Sequence, residues 1–176
     1  LNLEKFNELK LIAHQYDLIM LTESWLTNGK EGLYNIDGYD LHTCNRSGRR
    51  IGGGVAVYVR SNLSVQKLAE YKTTHASAYW FVYKQSDFTP IIYSVIYHPP
   101  GLTKDNKNNT TEHIISTASK LLQSYPNAKL VITGDFNDLD TTQISTLLPL
   151  HQIVNFSTRG DAKLDLIYTD VDEYVT

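Results

Sequence analysis

The chain predicts a single α/β domain with mixed sheets, and three observations carry that prediction. Short apolar runs ending in polar clusters recur along its 176 residues. Helical spacing of apolar side chains appears near the start and again before residue 125. No linker, internal repeat or low-complexity segment divides the chain. Hydrophobic residues make up 41% and charged residues 20%, which suits a globular domain with a core of its own.

The elements follow in order. Leu3, Phe6, Leu9, Ile12 and Tyr16 recur at helical spacing, so a helix is expected over Leu3 to Gln15. "YDLIMLTES" reads as a buried strand with Glu23 at its C-terminal end. Two strands, Tyr39 to Cys44 and Val55 to Arg60, flank a Gly- and Arg-rich segment. Further strands are expected at Val65 to Leu68, Ala78 to Lys84 and Ile91 to Tyr97, the last broken by "HPPG". "KDNKNNT" reads as a polar surface loop. Glu112 to Ser124 reads as a helix that Tyr125-Pro126-Asn127 ends. "KLVITGDFND" is a strand running into a loop, and a short helix covers Thr141 to Leu148. "IVNFS" and "LDLIYTD" read as the last two strands, with "STRGDAK" between them.

Several function classes are disfavoured before any motif is weighed. The net charge is -3, which argues against a purely electrostatic nucleic-acid binder. A metal-dependent nuclease is less affected, because its acids are neutralised by the cation. No apolar run approaches the ~18 residues of a membrane span, and the N-terminus does not read as a signal peptide. Cys44 is the only cysteine, which fits a reducing compartment.

Three carboxylates share one context. Glu23 ends "LIMLTE", Asp135 ends "LVITGD", and Asp165 sits in "LDLIY". Strand ends beside loops are where catalytic groups collect. Hard oxygen ligands suit Mg²⁺. Asp135 and Asn137, one residue apart, would point to the same side of an extended chain. One could accept a proton while the other donates to a substrate oxygen. The plainer alternative is a turn, because Asp and Asn bond back to their own backbone. Glu23 could equally be a helix cap or a surface acid. Asp165, inside an apolar strand, should be buried and need a partner.

Together, "LTESWL", "RRIGGGVAVYVR", "IYHPPG", "VITGDFN" and "LDLIYTD" resemble the endonuclease/exonuclease/phosphatase superfamily. Within it they are most similar to the endonuclease domains of non-LTR, LINE-type retrotransposons. The resemblance implies a four-layered α/β sandwich, two packed sheets flanked by helices. It implies hydrolysis of phosphate esters with Mg²⁺, or Mn²⁺ in its place. For this chain it implies a DNA-nicking activity that lets a reverse transcriptase prime on the exposed 3′ hydroxyl. A reverse transcriptase domain in the full-length protein and nuclear action follow from the same resemblance. Glu23 would hold the metal, and Tyr97 would hydrogen-bond the scissile phosphate. Asp135 would orient or deprotonate the attacking water. Asn137 would bind a phosphate oxygen, and Asp165 would buttress a catalytic histidine.

The family pattern also has an asparagine on a strand before a segment like Leu1 to Leu11, and a Ser-Asp-His string beyond Asp165. Neither lies within these residues. The expectation is therefore a domain truncated at both ends, missing terminal strands and inactive or nearly so. A catalytically inactive remnant and a phosphatase on the same fold are the alternatives to the endonuclease.

The DNA contacts are more open. Arg49 and Arg50, beside three glycines, either touch phosphates or belong to a solvated hairpin turn. His98 either contacts phosphate or points to solvent. Thr158 and Arg159 are either DNA contacts on a hairpin loop or a plain hairpin tip. Trp25 is expected to pack the base of its loop, and His113 to be a surface or helix residue.

Overall fold

A computed structural model describes residues 1–46, 52–85 and 88–172. Arg49 and Arg50 lie outside the described residues.

Two sheets pack face to face. The first holds β1 (Leu18–Thr22), β2 (Tyr39–Cys44) and β3 (Val55–Arg60), antiparallel in the order β1-β3-β2. The second adds β4 (Val65–Lys72), β5 (Ser77–Tyr83), β6 (Ile91–Tyr97), β7 (Lys129–Asp135), β8 (His151–Gln152) and β9 (Asp165–Thr169). Its order is β4-β5-β6-β7-β9-β8, and only β6 and β7 run parallel. That parallel pair requires a crossover, supplied by α2 (Lys104–Ser124). The remaining helices are α1 (Leu3–Ala13) and α3 (Thr142–Leu147), with a short 3-10 helix at Glu31–Tyr34.

β3 shows why the layers stack as they do. Val55 through Val59 are all buried, so both of its faces are covered. Val55, Val57 and Val59 meet Tyr79, Phe81, Val95 and Tyr97 of the second sheet. Tyr58, on the opposite face, joins Phe6 and Ala13 of α1. On the outer face of the second sheet, Trp80, Ile92, Ile96, Leu130 and Ile132 pack against Ile114 and Ala118 of α2 and Ile144 of α3. The result is four layers: α1, sheet, sheet, then α2 with α3. Fully burying each Val, Ile or Leu side chain is worth about 1.5–3 kcal/mol, so these two interfaces dominate the fold.

Three elements depart from the sequence expectation. α2 starts at Lys104, so "KDNKNNT" is helix rather than loop. Thr103 caps it, its side chain accepting from the Asn106 amide, and Asp105 sits in the positive first turn. The polar residues that suggested a loop are largely this helix's solvent face, while Thr110 and Thr111 turn inward. β4 runs on to Lys72 rather than stopping at Leu68, past a bulge between Lys67 and Ala69. "IVNFS" is not a strand. The ladder on β9 is confined to His151–Gln152. The Gln152 side-chain Nε2 then donates to the Val154 carbonyl at 3.0 Å, and Val154 drops into the core, taking the chain off the sheet edge.

Among the described residues no helix is long and apolar enough to cross a membrane.

Candidate active site

Register places the acids. Tyr97 on β6 pairs with Asp135 on β7, and Asp135 pairs with Asp165 on β9. The three therefore stand abreast at one end of the second sheet. β1 of the facing sheet ends at Thr22, which delivers Glu23 to the same end. A groove of about 510 Å³ opens there, lined by Glu23, Ser24, Trp25, Asp135, Arg159 and Asp165, with Leu1, Asn2 and Lys5 of the α1 end at its rim.

The backbone around this groove is strained. Glu23 (φ 49°), Trp25 (φ 55°) and Asn137 (φ 47°) are the non-glycine residues with positive φ among those described. Such residues cost about 1–3 kcal/mol each and persist only where surroundings over-determine them. Here the surroundings are a glycine run. The Ser24 amide donates to the Gly54 carbonyl at 3.2 Å, and the Trp25 amide to the Gly53 carbonyl at 2.9 Å. Gly53 itself has φ +75°, and a Cβ there would stand 2.3 Å from Arg46 Cδ and 2.8 Å from Tyr97 Cε1. The run is thus the wall that fixes Glu23 and Trp25. From its residues alone the run reads as a turn or a phosphate contact.

Gly134 has a parallel role beneath Asp135. A Cβ at Gly134 would meet the Ile96 carbonyl oxygen at 1.9 Å, so only glycine allows β6 and β7 to approach this closely. Past Asp135, the backbone does not stay extended. Asn137 is left-handed, and its amide N–H donates to Asp135 Oδ1 at 3.1 Å. The turn alternative was therefore right about the backbone, and the turn serves the site. It orients the Asp135 carboxylate and leaves the Asn137 side chain to donate to the His98 carbonyl at 2.8 Å.

The electrostatics sort the groups. Asp135 is buried, and that burial, followed by the charge of Asp165, raises its carboxyl above the ordinary range. The Asn137 amide and Arg159 offset part of the rise. A carboxylate held this way is a better proton acceptor than an exposed one. The Tyr97 hydroxyl donates to Glu23 Oε1 at 2.8 Å. Burial, then this carboxylate, pushes its ionisation well above the normal range, so the phenol keeps its proton as a donor.

Three site expectations change, at Asp165, His98 and Trp25, and the open alternatives at Thr158 and Arg159 are separated. Asp165 is exposed rather than buried, because it is the first residue of β9 where the strand leaves the groove. Its place beside Asp135 makes it a neighbour of that carboxylate; none of its contacts among the described residues is with a histidine. His98 is fully buried, so it neither touches phosphate nor points to solvent. Its Nδ1 lies 3.2 Å from Thr110 Oγ1, and its backbone amide donates to the Asp135 carbonyl. His98 therefore braces Asp135 and Asn137 from behind. The Thr158 hydroxyl oxygen accepts from the amides of Leu164 and Asp165, at 2.9 and 3.1 Å, so it closes the hairpin. Arg159, by contrast, is exposed and lines the groove. Trp25 does not pack under its loop; it is 54% exposed and also lines the groove.

The family implies a divalent metal, and the donor set can be tested against one. The groove offers oxygen donors, and Glu23 is exposed to it. Among the described residues no group of three or more His, Cys, Asp or Glu side chains could hold a metal. A thiolate- or imidazole-rich site is thus not what this geometry supplies. Mg²⁺ needs only one or two protein carboxylates, with waters and substrate phosphate completing its shell. Glu23 fits that requirement.

A profile of the Endonuclease/Exonuclease/phosphatase family matches residues 1–170. The chain belongs to the endonuclease/exonuclease/phosphatase family. No curated protein sequence matches the chain. Solved structures share its fold. The human nocturnin catalytic domain is similar at TM-score 0.68 and 17% identity, over 97% of this chain and 76% of that one. A mannosyl-6-phosphatase of Bacteroides thetaiotaomicron gives 0.68 and 14%, over 94% and 76%. The endonuclease domain of TRAS1, a telomere-specific non-LTR retrotransposon, gives 0.59 and 11%, over 96% and 79%. Family members are hydrolytic nucleases and phosphatases, and the four-layered sandwich is the family fold.

Proposed function

We propose that this domain is a Mg²⁺-dependent phosphodiester hydrolase that nicks DNA, as the endonuclease domain of a retroelement acting with a fused reverse transcriptase. The observation that carries the hydrolase reading is that Glu23 from the first sheet and Asp135 from the second line one groove, with Tyr97 hydrogen-bonded to Glu23 and Asn137 to Asp135. The retroelement reading is supported by the five sequence strings above, which span the chain from "LTESWL" to "LDLIYTD".

Each residue then has a physical task. Asp135, with its raised carboxyl, takes a proton from the attacking water or aligns it. The Asn137 side-chain amide gives one N–H to the His98 carbonyl and offers its second to a phosphate oxygen, and the Tyr97 hydroxyl joins it by exchanging Glu23 for phosphate as its acceptor. Glu23 would hold the divalent ion, which supplies charge neutralisation at the phosphate when bound. Arg159, exposed on the rim, contacts the neighbouring backbone phosphates.

Supercoiled plasmid incubated with the chain and Mg²⁺ tests this, beside Asp135→Ala and a version extended by its genomic flanks. A phosphomonoester assay runs in parallel. Nicking that Asp135→Ala abolishes supports the proposal. Phosphomonoester hydrolysis without nicking would replace it with a phosphatase. Folded proteins inert in both assays would point to a non-catalytic remnant.

A further inference from the structure

Trp25 is a large apolar side chain in a place where burial would be expected, and the fold keeps it out. The sheet interface lies next to it: Ser24 is 1% exposed and Leu26 is 6% exposed. Trp25 between them is 54% exposed. Its left-handed backbone and that of Glu23 put both side chains on the groove, on either side of the buried serine. The conformation is pinned by the Gly53 and Gly54 carbonyls. One edge of the indole rests on Gly52, where a Cβ would come within 3.3 Å of Cε2 and Cζ2. A side chain there would crowd the ring. The indole is thus held from behind, while about half of its surface stays open.

A rigid, open indole beside carboxylates is poorly suited to a charged phosphate alone. It suits a flat, uncharged π face brought in next to that phosphate. Nucleobases have such a face, and stacking on an aromatic side chain is tolerant of base identity. Lys5 and Arg159 line the same groove and are suited to the flanking phosphates.

Resting on the DNA-hydrolase reading above, we propose that Trp25 is a stacking platform for the nucleobase adjacent to the scissile phosphate. It would make a polynucleotide, rather than a small phosphate ester, the preferred substrate class. The strain at Glu23 and Trp25 then has one purpose: it sets the metal-binding carboxylate and the base platform at a fixed separation.

Intrinsic fluorescence tests this directly, because the chain has only two tryptophans. Trp80 is fully buried and bonded to His113, so it gives a constant background. Single-stranded oligodeoxynucleotides are titrated into the chain in Mg²⁺, alongside a set carrying one abasic position moved along the strand. The expected result is quenching on binding that is lost at one abasic position. Trp25→Ala should bind about tenfold or more weakly, and Trp25→Phe should recover part of that loss. Circular dichroism confirms that both variants are folded. Binding of equal affinity by the wild type and Trp25→Ala would overturn the platform while leaving the DNA reading intact. Absence of oligonucleotide binding, or quenching that no abasic position removes, would overturn the platform, while plasmid nicking decides the DNA reading separately.

Discussion

On the α2 face of the second sheet, His113 has every ring nitrogen occupied. The Trp80 indole can only donate, so His113 Nε2 accepts from it at 3.1 Å, and Nδ1 carries the proton toward Thr117 Oγ1 at 3.2 Å. The ring also stacks on Tyr71 at 4.2 Å. At the groove end, His98 is built differently. Thr110 gives its hydroxyl proton to the Asn106 carbonyl, so His98 Nδ1–H must be the donor to Thr110 Oγ1. Its Nε2 then has no hydrogen-bond partner among the described residues. Burial lowers both histidines to about 4. The two regions teach different lessons. Around His113 the polar groups are paired, although Ser94 Oγ, on the same face of β6 as Ile92 and Ile96, is buried without a hydrogen-bond partner among the described residues. The groove end carries orphaned buried polar atoms on His98 and Ser24 and three left-handed non-glycine residues. Buried unpaired polar atoms occur in both regions, but the left-handed non-glycine residues among those described all lie where the chemistry is proposed.

The largest effect that would separate these regions is at Asp135. Asp135→Asn should lower phosphodiester hydrolysis by about 10²- to 10⁴-fold without lowering the melting temperature, because it removes a desolvated charge beside Asp165. A steady-state assay paired with thermal melting reads both. Gly134→Ala should do the reverse. Its Cβ would collide with backbone, so a loss of about 3 kcal/mol or more in folding stability is expected, read by urea denaturation. On the α2 face, Trp80→Phe leaves His113 Nε2 unpartnered and should cost about 1–3 kcal/mol with turnover unchanged. The same change should raise the pH at which His113 titrates by NMR, since its bare nitrogen can then take a proton.

Acid should weaken both regions together. Folded-state protonation of His98 and His113 is pushed down to about 4, while an unfolded histidine titrates near 6.5. Between those values the unfolded chain binds more protons, so stability rises with pH across the window. It should be full above about 6.5 and fall progressively as the pH drops toward about 4, as denaturation midpoints across that range would show. The smallest effect should come from Asp165→Asn. Removing the like charge beside Asp135 should shift the acid limb of the pH–rate profile to lower pH. An unmoved limb would mean that Asp165 does not tune Asp135.

Much of this was legible in the residues. Short apolar runs located β1 to β3 and β5 to β7, helical spacing located α1, and α3 was also placed to within a few residues, because buried segments must be apolar. Asp135, Glu23 and Tyr97 were legible as polar residues where apolar runs stop. The reach of α2 was hidden, because its first turns are polar on the solvent side and their helicity depends on the Thr103 cap and on packing. The positions of His98 and Trp25 were misjudged for a related reason, and the core partners of His113, correctly expected on a helix, were not foreseen. A histidine or tryptophan is compatible with core and surface alike, and its neighbours come from distant strands.

The sequence by itself determined most of the strands and helices and the residue types available at their ends, since local periodicity and residue type are properties of the chain alone. Only the tertiary structure decided that Tyr97, Asp135 and Asp165 stand abreast, that a glycine run holds Glu23 and Trp25 in left-handed conformations, and that Asp135 is desolvated. Those outcomes depend on strand register and on contacts between residues far apart in the chain, such as Tyr97 with Glu23, which no local pattern encodes.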